Sequence, residues 1–86
     1  MRHIHEQAIV RRLQTAQGHL KKVLSMVEDD TYCIDILNQS KAVQQALRKV
    51  DELVLDRHLR SCAVKHIKQG KTDTAVNEIM SVFKRL

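Results

Sequence analysis

Apolar residues in the first third of the chain fall at Ile9, Leu13, Ala16, Leu20, Val23 and Val27. Alternating steps of four and three keep them on one stripe, which predicts a first helix from about residue 4 to about residue 28. Gly18 is its weak point: it costs roughly 1 kcal/mol in an exposed helix interior and leaves room for close backbone packing. The acidic run Glu28-Asp29-Asp30 then interrupts the stripe, and Asp30 or Thr31 is placed to cap the next helix after a tight turn.

Ile36, Ser40, Val43, Leu47, Val50 and Val54 resume a heptad-like spacing, and neither Gly nor Pro intervenes before Gly70. The second helix should therefore run uninterrupted for about 37 residues, or roughly 55 Å. Gly70 suits the left-handed position after a helix end, with Lys65, Lys68 and Lys71 beside the negative pole. Thr72 or Asp73 can cap a short third helix whose apolar face is Ala75, Ile79, Val82 and Leu86, with Val76 and Phe83 alongside. No linker, repeat or low-complexity segment divides residues 1–86, so they read as one domain.

Composition narrows the class. With 2% aromatic residues, no Pro and only 2 Gly in 86 residues, strand and turn material for a β-sandwich or barrel is missing. The fold class is all-α. A chain this short covers its helix stripes poorly alone, so self-association is expected. The net charge of +5 suits a polyanion, and the bias lies in the second half: residues 44–86 hold nine basic and five acidic residues, against six and five in residues 1–43. That charge does not choose between nucleic acid and an anionic membrane surface, but no long apolar run or signal-peptide core is present, which points to a cytoplasmic protein that does not span a membrane. Two cysteines there are more apt to be reactive or metal-binding than paired in a structural disulfide.

His58 and Cys62, four residues apart on the long helix, share one face at a spacing suited to metal ligation. A partly buried His above a small apolar Cys explains that spacing equally well. Cys33 sharpens the case, because 25 residues of continuous helix put it roughly 37 Å from His58. The three residues can meet only between two chains: antiparallel copies about an axis near residues 46–47 bring Cys33 of one beside His58 and Cys62 of the other. Ala42 and Ala46 near that axis would allow close approach. Two thiolates and one imidazole suit a soft ion, and three ligands without a fourth favour Cu(I) over structural zinc. His3, His5, His19 and His66 read most simply as solvated, although His66, His3 or His5 could complete a four-coordinate Zn, Ni or Co site.

These residues resemble the CsoR/RcnR family of bacterial metal-sensing transcriptional repressors. The resemblance spans nearly the whole chain through Arg11-Arg12-Leu13, Gly18-His19-Leu20, Tyr32-Cys33-Ile34-Asp35-Ile36-Leu37 and His58-Leu59-Arg60-Ser61-Cys62. In that family the Cys-His-Cys set marks copper(I) sensors. The resemblance further implies that Tyr32 and Glu78 form an outer shell on the ligating His58, a role that fits the orientation and basicity a bound imidazole needs. It also implies that the apo protein represses and that Cu(I) lowers its affinity for the operator of a copper-resistance or copper-efflux gene. His3 and His5 depart from the copper pattern and keep nickel or cobalt open.

No helix-turn-helix, zinc finger or basic zipper spacing is present, so DNA would be met by helix faces. The basic candidates are Arg11, Arg12, Lys21 and Lys22 on the first helix and Arg48 and Lys49 on the second; Arg12 and Lys49 match basic positions that the family uses on DNA. Each pair alone also fits a solvated face. The expected assembly is an antiparallel, four-helix-bundle-like dimer, joining further into a tetramer, which repeats the patch and adds phosphate contacts. A thiol or persulfide sensor, through Cys33 and Cys62 of different subunits, and a cytosolic copper-binding protein are the competing readings. Enzyme activity is not expected, since no acid–base pair, nucleophile–base pair or phosphate-cradling loop stands apart from the Cys/His set.

Overall fold

The computed structural model describes residues 3–85. The described chain forms α1 (Glu6–Glu28), α2 (Cys33–His58), a π-helical turn (Leu59–Ala63), α3 (Val64–Lys68) and α4 (Thr72–Arg85). Helical dihedrals continue through Leu59 and Val64, so α2, the π turn and α3 make the long rod that the spacing predicts. The wide turn inside that rod is not visible in the spacing. Within it the Ser61 hydroxyl donates to the carbonyl of Arg57 at 2.5 Å, a back-bond of the kind that competes with the helical ladder.

Both helix ends facing turns close in the same way. Gly70, at φ 77, follows the rod; its N–H reaches the Ile67 carbonyl at 3.0 Å, and the Lys71 N–H reaches the His66 carbonyl at 2.7 Å. This is a Schellman closure. α1 ends on the same pair of bonds, Asp30 to Val27 at 3.3 Å and Thr31 to Met26 at 2.9 Å, with Asp30 itself left-handed at φ 54. Asp30 therefore closes α1 instead of capping α2, and the cap position of α2 is Tyr32, which makes no side-chain capping bond. In a turn without Gly, an Asp tolerates the left-handed region better than its neighbours. Thr72 and Asp73 lie inside the first turn of α4, not ahead of it, where Asp73 complements the positive helix end. Ala75 of that helix is buried, Ile79 and Val82 are half-buried, and Leu86 lies outside the described residues.

α1 and α2 pair as a hairpin. Ile9 and Ala16 are buried on α1 and Val50 on α2, and an imidazole–amide contact, His19 Nδ1 to Gln39 Nε2 at 3.1 Å, joins the two helices. Gln39, Val43, Ala46, Val50 and Leu53 follow one line along α2, which identifies its α1-facing side. Ala42 and Ala46 thus belong to the intrachain hairpin and not to the face of Cys33, where Gln44 and Leu47 stand near the middle of the helix. The apolar stripe read from the sequence splits: Ile36, Val43 and Val50 turn toward α1, while Leu47 and Val54 remain exposed.

The hairpin is a thin core. The protomer exposes 6869 Å², where a folded monomer of 9.9 kDa exposes roughly 5,200 Å² by the area–mass relation. Exposed apolar side chains line the hairpin: Val10, Leu13, Leu20, Leu24 and Val27 edge α1, and Leu37, Leu47 and Val54 edge α2. α4 packs on the π turn and α3 and folds back beside α2. Between α2 and α4 lies an open groove of about 1410 Å³ whose floor includes Leu47, Val54, Leu55 and His58.

Gly18 has nothing within 4 Å of the position a Cβ would take, so no intrachain close approach requires it. Gly18→Ala is expected to stabilise the protein by about 1 kcal/mol, read as a higher urea midpoint. An unchanged or lower midpoint would indicate that another chain approaches there.

Candidate metal centre and nucleic-acid face

Cys33 opens α2 and His58 closes it, so the two stand at opposite ends of one continuous helix. Cys62 follows within the π turn. Cys33 and Cys62 are free thiols, the first exposed and the second half-buried. Among the described residues no three His, Cys, Asp or Glu side chains converge within one protomer. Cys33, Leu37, Gln44, Leu47, Asp51 and His58 share one face of α2, at the side of which α4 leaves its groove.

His58 Nε2 lies 3.1 Å from Glu78 Oε2 of α4. The distance is that of an ion pair, but the carboxylate is out of line for a hydrogen bond, and Nε2 is buried without a hydrogen-bond partner. Glu78 thus occupies the Nε2 side of the ring. Tyr32, exposed at the far end of α2, cannot reach this ring within the same chain. Beyond Cys62, a recess of about 510 Å³ is lined by Ser61, Cys62, Lys65, His66 and Gln69, and His66 Nδ1 is buried there without a partner.

The N-terminal histidines are otherwise engaged. His3 Nδ1 pairs with Glu6 Oε2 at 3.2 Å. His5, in the left-handed region at φ 61, directs Nε2 onto Asp56 Oδ2 at 2.5 Å. Arg60 Nε donates to the same oxygen at 2.9 Å. The hydrogen bonds from His5 and then Arg60 hold the Asp56 carboxyl below its ordinary value of 3.8. Asp56 stands two residues before His58, on the opposite side of the helix. The i, i+4 pairing of Asp56 with Arg60 is visible in the sequence; the reach of His5 to Asp56 across 51 positions has no local signal.

The basic candidates Arg11, Arg12, Lys21, Lys22, Arg48 and Lys49 are all exposed. Arg11, Thr15, Gly18 and Lys22 follow one line on α1, opposite the buried Ile9 and Ala16. Between its two cations that line carries only small side chains. Lys49 pairs with Glu52 at 3.4 Å, and Arg48 lines the α2–α4 groove, so α1 offers the less encumbered cations. No helix among the described residues is long and apolar enough to cross a membrane.

The sequence profile of the metal-sensitive transcriptional repressors matches residues 5–85. The copper-sensing transcriptional repressor CsoR of Bacillus subtilis (strain 168) is 39% identical over 77 residues, covering 90% of this chain and 76% of the relative. The crystal structure of the copper-sensing repressor CsoR with Cu(I) from Geobacillus thermodenitrificans NG80-2 superposes with a TM-score of 0.84 at 42% identity, covering 92% of this chain and 82% of that one. The nickel-responsive transcriptional regulator InrS superposes with a TM-score of 0.75 at 32% identity, covering 92% and 89%.

Proposed function

This chain belongs to the metal-sensitive transcriptional repressors, and from that membership we propose that it is a copper(I)-responsive one. In this reading it holds operator DNA of a copper-resistance or copper-efflux gene in the apo state and releases it on binding Cu(I) in the cytoplasm. The observation that carries the reading is the placement of Cys33 and His58 at the two ends of one helix. An antiparallel pair of copies then joins Cys33 of one with His58 and Cys62 of the other, twice per dimer. Cu(I) supplies a soft centre that two thiolates and one imidazole satisfy without a fourth ligand. The residues present fit it: both thiols are free, and Glu78 beside Nε2 leaves Nδ1 of His58 as the donor nitrogen.

The outer shell follows from the same pairing. Glu78 comes from the chain that supplies His58, and Tyr32 arrives beside Cys33 from the other copy. A carboxylate on the rear nitrogen orients the ring and raises its basicity, and it ties the ring to α4. When His58 turns to ligate, Glu78 and α4 follow, which reshapes the surface offered to DNA. Linkage makes the effect reciprocal, so operator DNA weakens Cu(I) binding by the factor with which Cu(I) weakens operator binding. Glu78→Ala is expected to keep Cu(I) binding within roughly 10–100-fold while most of the metal-driven release is lost; full release in that variant would sink the outer-shell role.

Charge supports the antiparallel direction. Glu28, Asp29 and Asp30 crowd the negative end of α1, where no basic residue occupies the last turn. The pairing sets this turn level with α3 of the other copy, where Lys65 and Lys68 lie, followed by Lys71. Asp29→Lys with Asp30→Lys in one chain, or Lys65→Glu with Lys68→Glu in another, is expected to weaken self-association roughly ten- to hundredfold. Mixing the two variants should restore it, because each reversed corner then meets an opposite charge. Failure of the mixture to recover in sedimentation would exclude this direction of pairing.

X-ray absorption of the reduced, metal-loaded protein tests the ligand set. Two sulfurs and one nitrogen around Cu(I) are expected. A six-coordinate, nitrogen- and oxygen-rich nickel site as the tighter complex would overturn copper in favour of the nickel or cobalt reading.

A further inference from the structure

His5 adopts a left-handed backbone conformation that L-residues rarely take, at φ 61 and ψ 12, and its side chain does not cap the helix it precedes. Its carbonyl accepts the first bond of α1, from the Ile9 N–H at 2.9 Å. The imidazole instead spans to Asp56 at 2.5 Å, and Asp56 Oδ2 in turn accepts from Arg60 Nε within the π turn at 2.9 Å. The strained residue thus ties the start of α1 by hydrogen bond to the segment that carries His58 and Cys62.

The two sides of that segment are gripped differently. His58 and Cys62 project from the front, with Glu78 of α4 against His58. Asp56 and Arg60, each two residues before a ligand, project from the back. Arg11 and Arg12 lie in the second turn of α1, directly beyond His5.

We infer that His5, Asp56 and Arg60 form a clamp that ties the metal-binding turn to the start of α1, with His5 as a positioning residue for the response and not a metal ligand. The inference rests on the copper-repressor reading for what the turn binds. A shift of the π turn on ligation moves Asp56 and Arg60 with it, and the His5 contact transmits that shift to the first turn of α1. Without the clamp the front of the turn still gathers its ligands, but α1 does not follow. The left-handed backbone at His5 aims the ring toward α2, so the clamp needs both this conformation and a donor of the right reach.

The test compares wild type, His5→Ala and His5→Gln, the last keeping a donor near the position of Nε2. Cu(I) affinity is read by chelator competition, operator affinity is read with and without Cu(I), and amide exchange is followed at residues 4–9. In His5→Ala, Cu(I) affinity and apo operator affinity should each stay within about threefold, while the ratio of apo to Cu(I)-bound operator affinity falls by about tenfold, within the usual span of coupling energies. Cu(I) should slow exchange at residues 4–9 in wild type and not in His5→Ala, and His5→Gln should recover both effects. An unchanged ratio together with unchanged exchange in His5→Ala overturns the clamp. A fall in Cu(I) affinity alone, unrecovered by His5→Gln, overturns it in favour of His5 as a ligand. A wild type whose operator affinity ignores Cu(I) overturns the functional reading instead, and the exchange at residues 4–9 then decides the clamp by itself.

Discussion

Chains carrying Cys33→Ala, and separately chains carrying His58→Ala with Cys62→Ala, are each expected to lose tight Cu(I) binding, yet a mixture of the two should regain it. Homodimers of either variant lack a complete set in both sites. In a mixed dimer one site combines Cys33 of the second chain with His58 and Cys62 of the first, while the other site is left with none of the three. The recovered sites should number one per mixed dimer. The loss in each variant alone should exceed about a hundredfold, because altering an outer-shell partner already costs roughly 10–100-fold. Recovery measured by chelator competition after unfolding and joint refolding would fit only ligands shared between copies. A single-chain site predicts no recovery at any mixing ratio.

Operator binding should fall about 10³–10⁵-fold between 50 and 200 mM salt if the assembly neutralises roughly six to ten phosphates. The cause is counterion release, to which every Lys or Arg on a phosphate contributes once. Arg12→Ala should therefore lower the steepness of the salt dependence by about one for each copy whose α1 lies on DNA. A change of about two identifies two copies in contact with the duplex, and about four identifies four. The same variant should keep its Cu(I) affinity, since Arg12 is exposed on α1 and the proposed ligands lie on α2 and in the π turn. An unchanged slope would remove Arg12 from the interface.

Helix content and the long second rod were legible because periodicity is a local property. Ile9, Ala16 and Val50 fell where their spacing placed them, and Gly70 took the left-handed position. Cap assignment failed at Asp30 because closing one helix and opening the next call for the same residue types, and only the hydrogen bonds to Met26 and Val27 distinguish them. The π turn was not legible because a single wide turn leaves the apolar spacing on either side unchanged. Ala42 and Ala46 are half-buried within the protomer, since small residues permit close approach without saying to which neighbour. Within the candidate site, the separation of Cys33 from His58 followed from counting residues along one helix. The engagement of His5 with Asp56 was not legible, since it joins the two ends of the hairpin across 51 positions and no periodicity links them.

If a second copy covers the apolar edges within the 6869 Å² that one protomer exposes, folding and association become a single equilibrium governed by mass action. A protein whose apolar edges are covered by another copy melts at a temperature that rises with its own concentration. Dilution should therefore loosen the hairpin as well as separate the copies, and proteases would find the separated chains first. Because a repressor is diluted at every cell division, a thin core completed by a partner copy would also set a lower limit on the number of copies at which a cell can keep it folded.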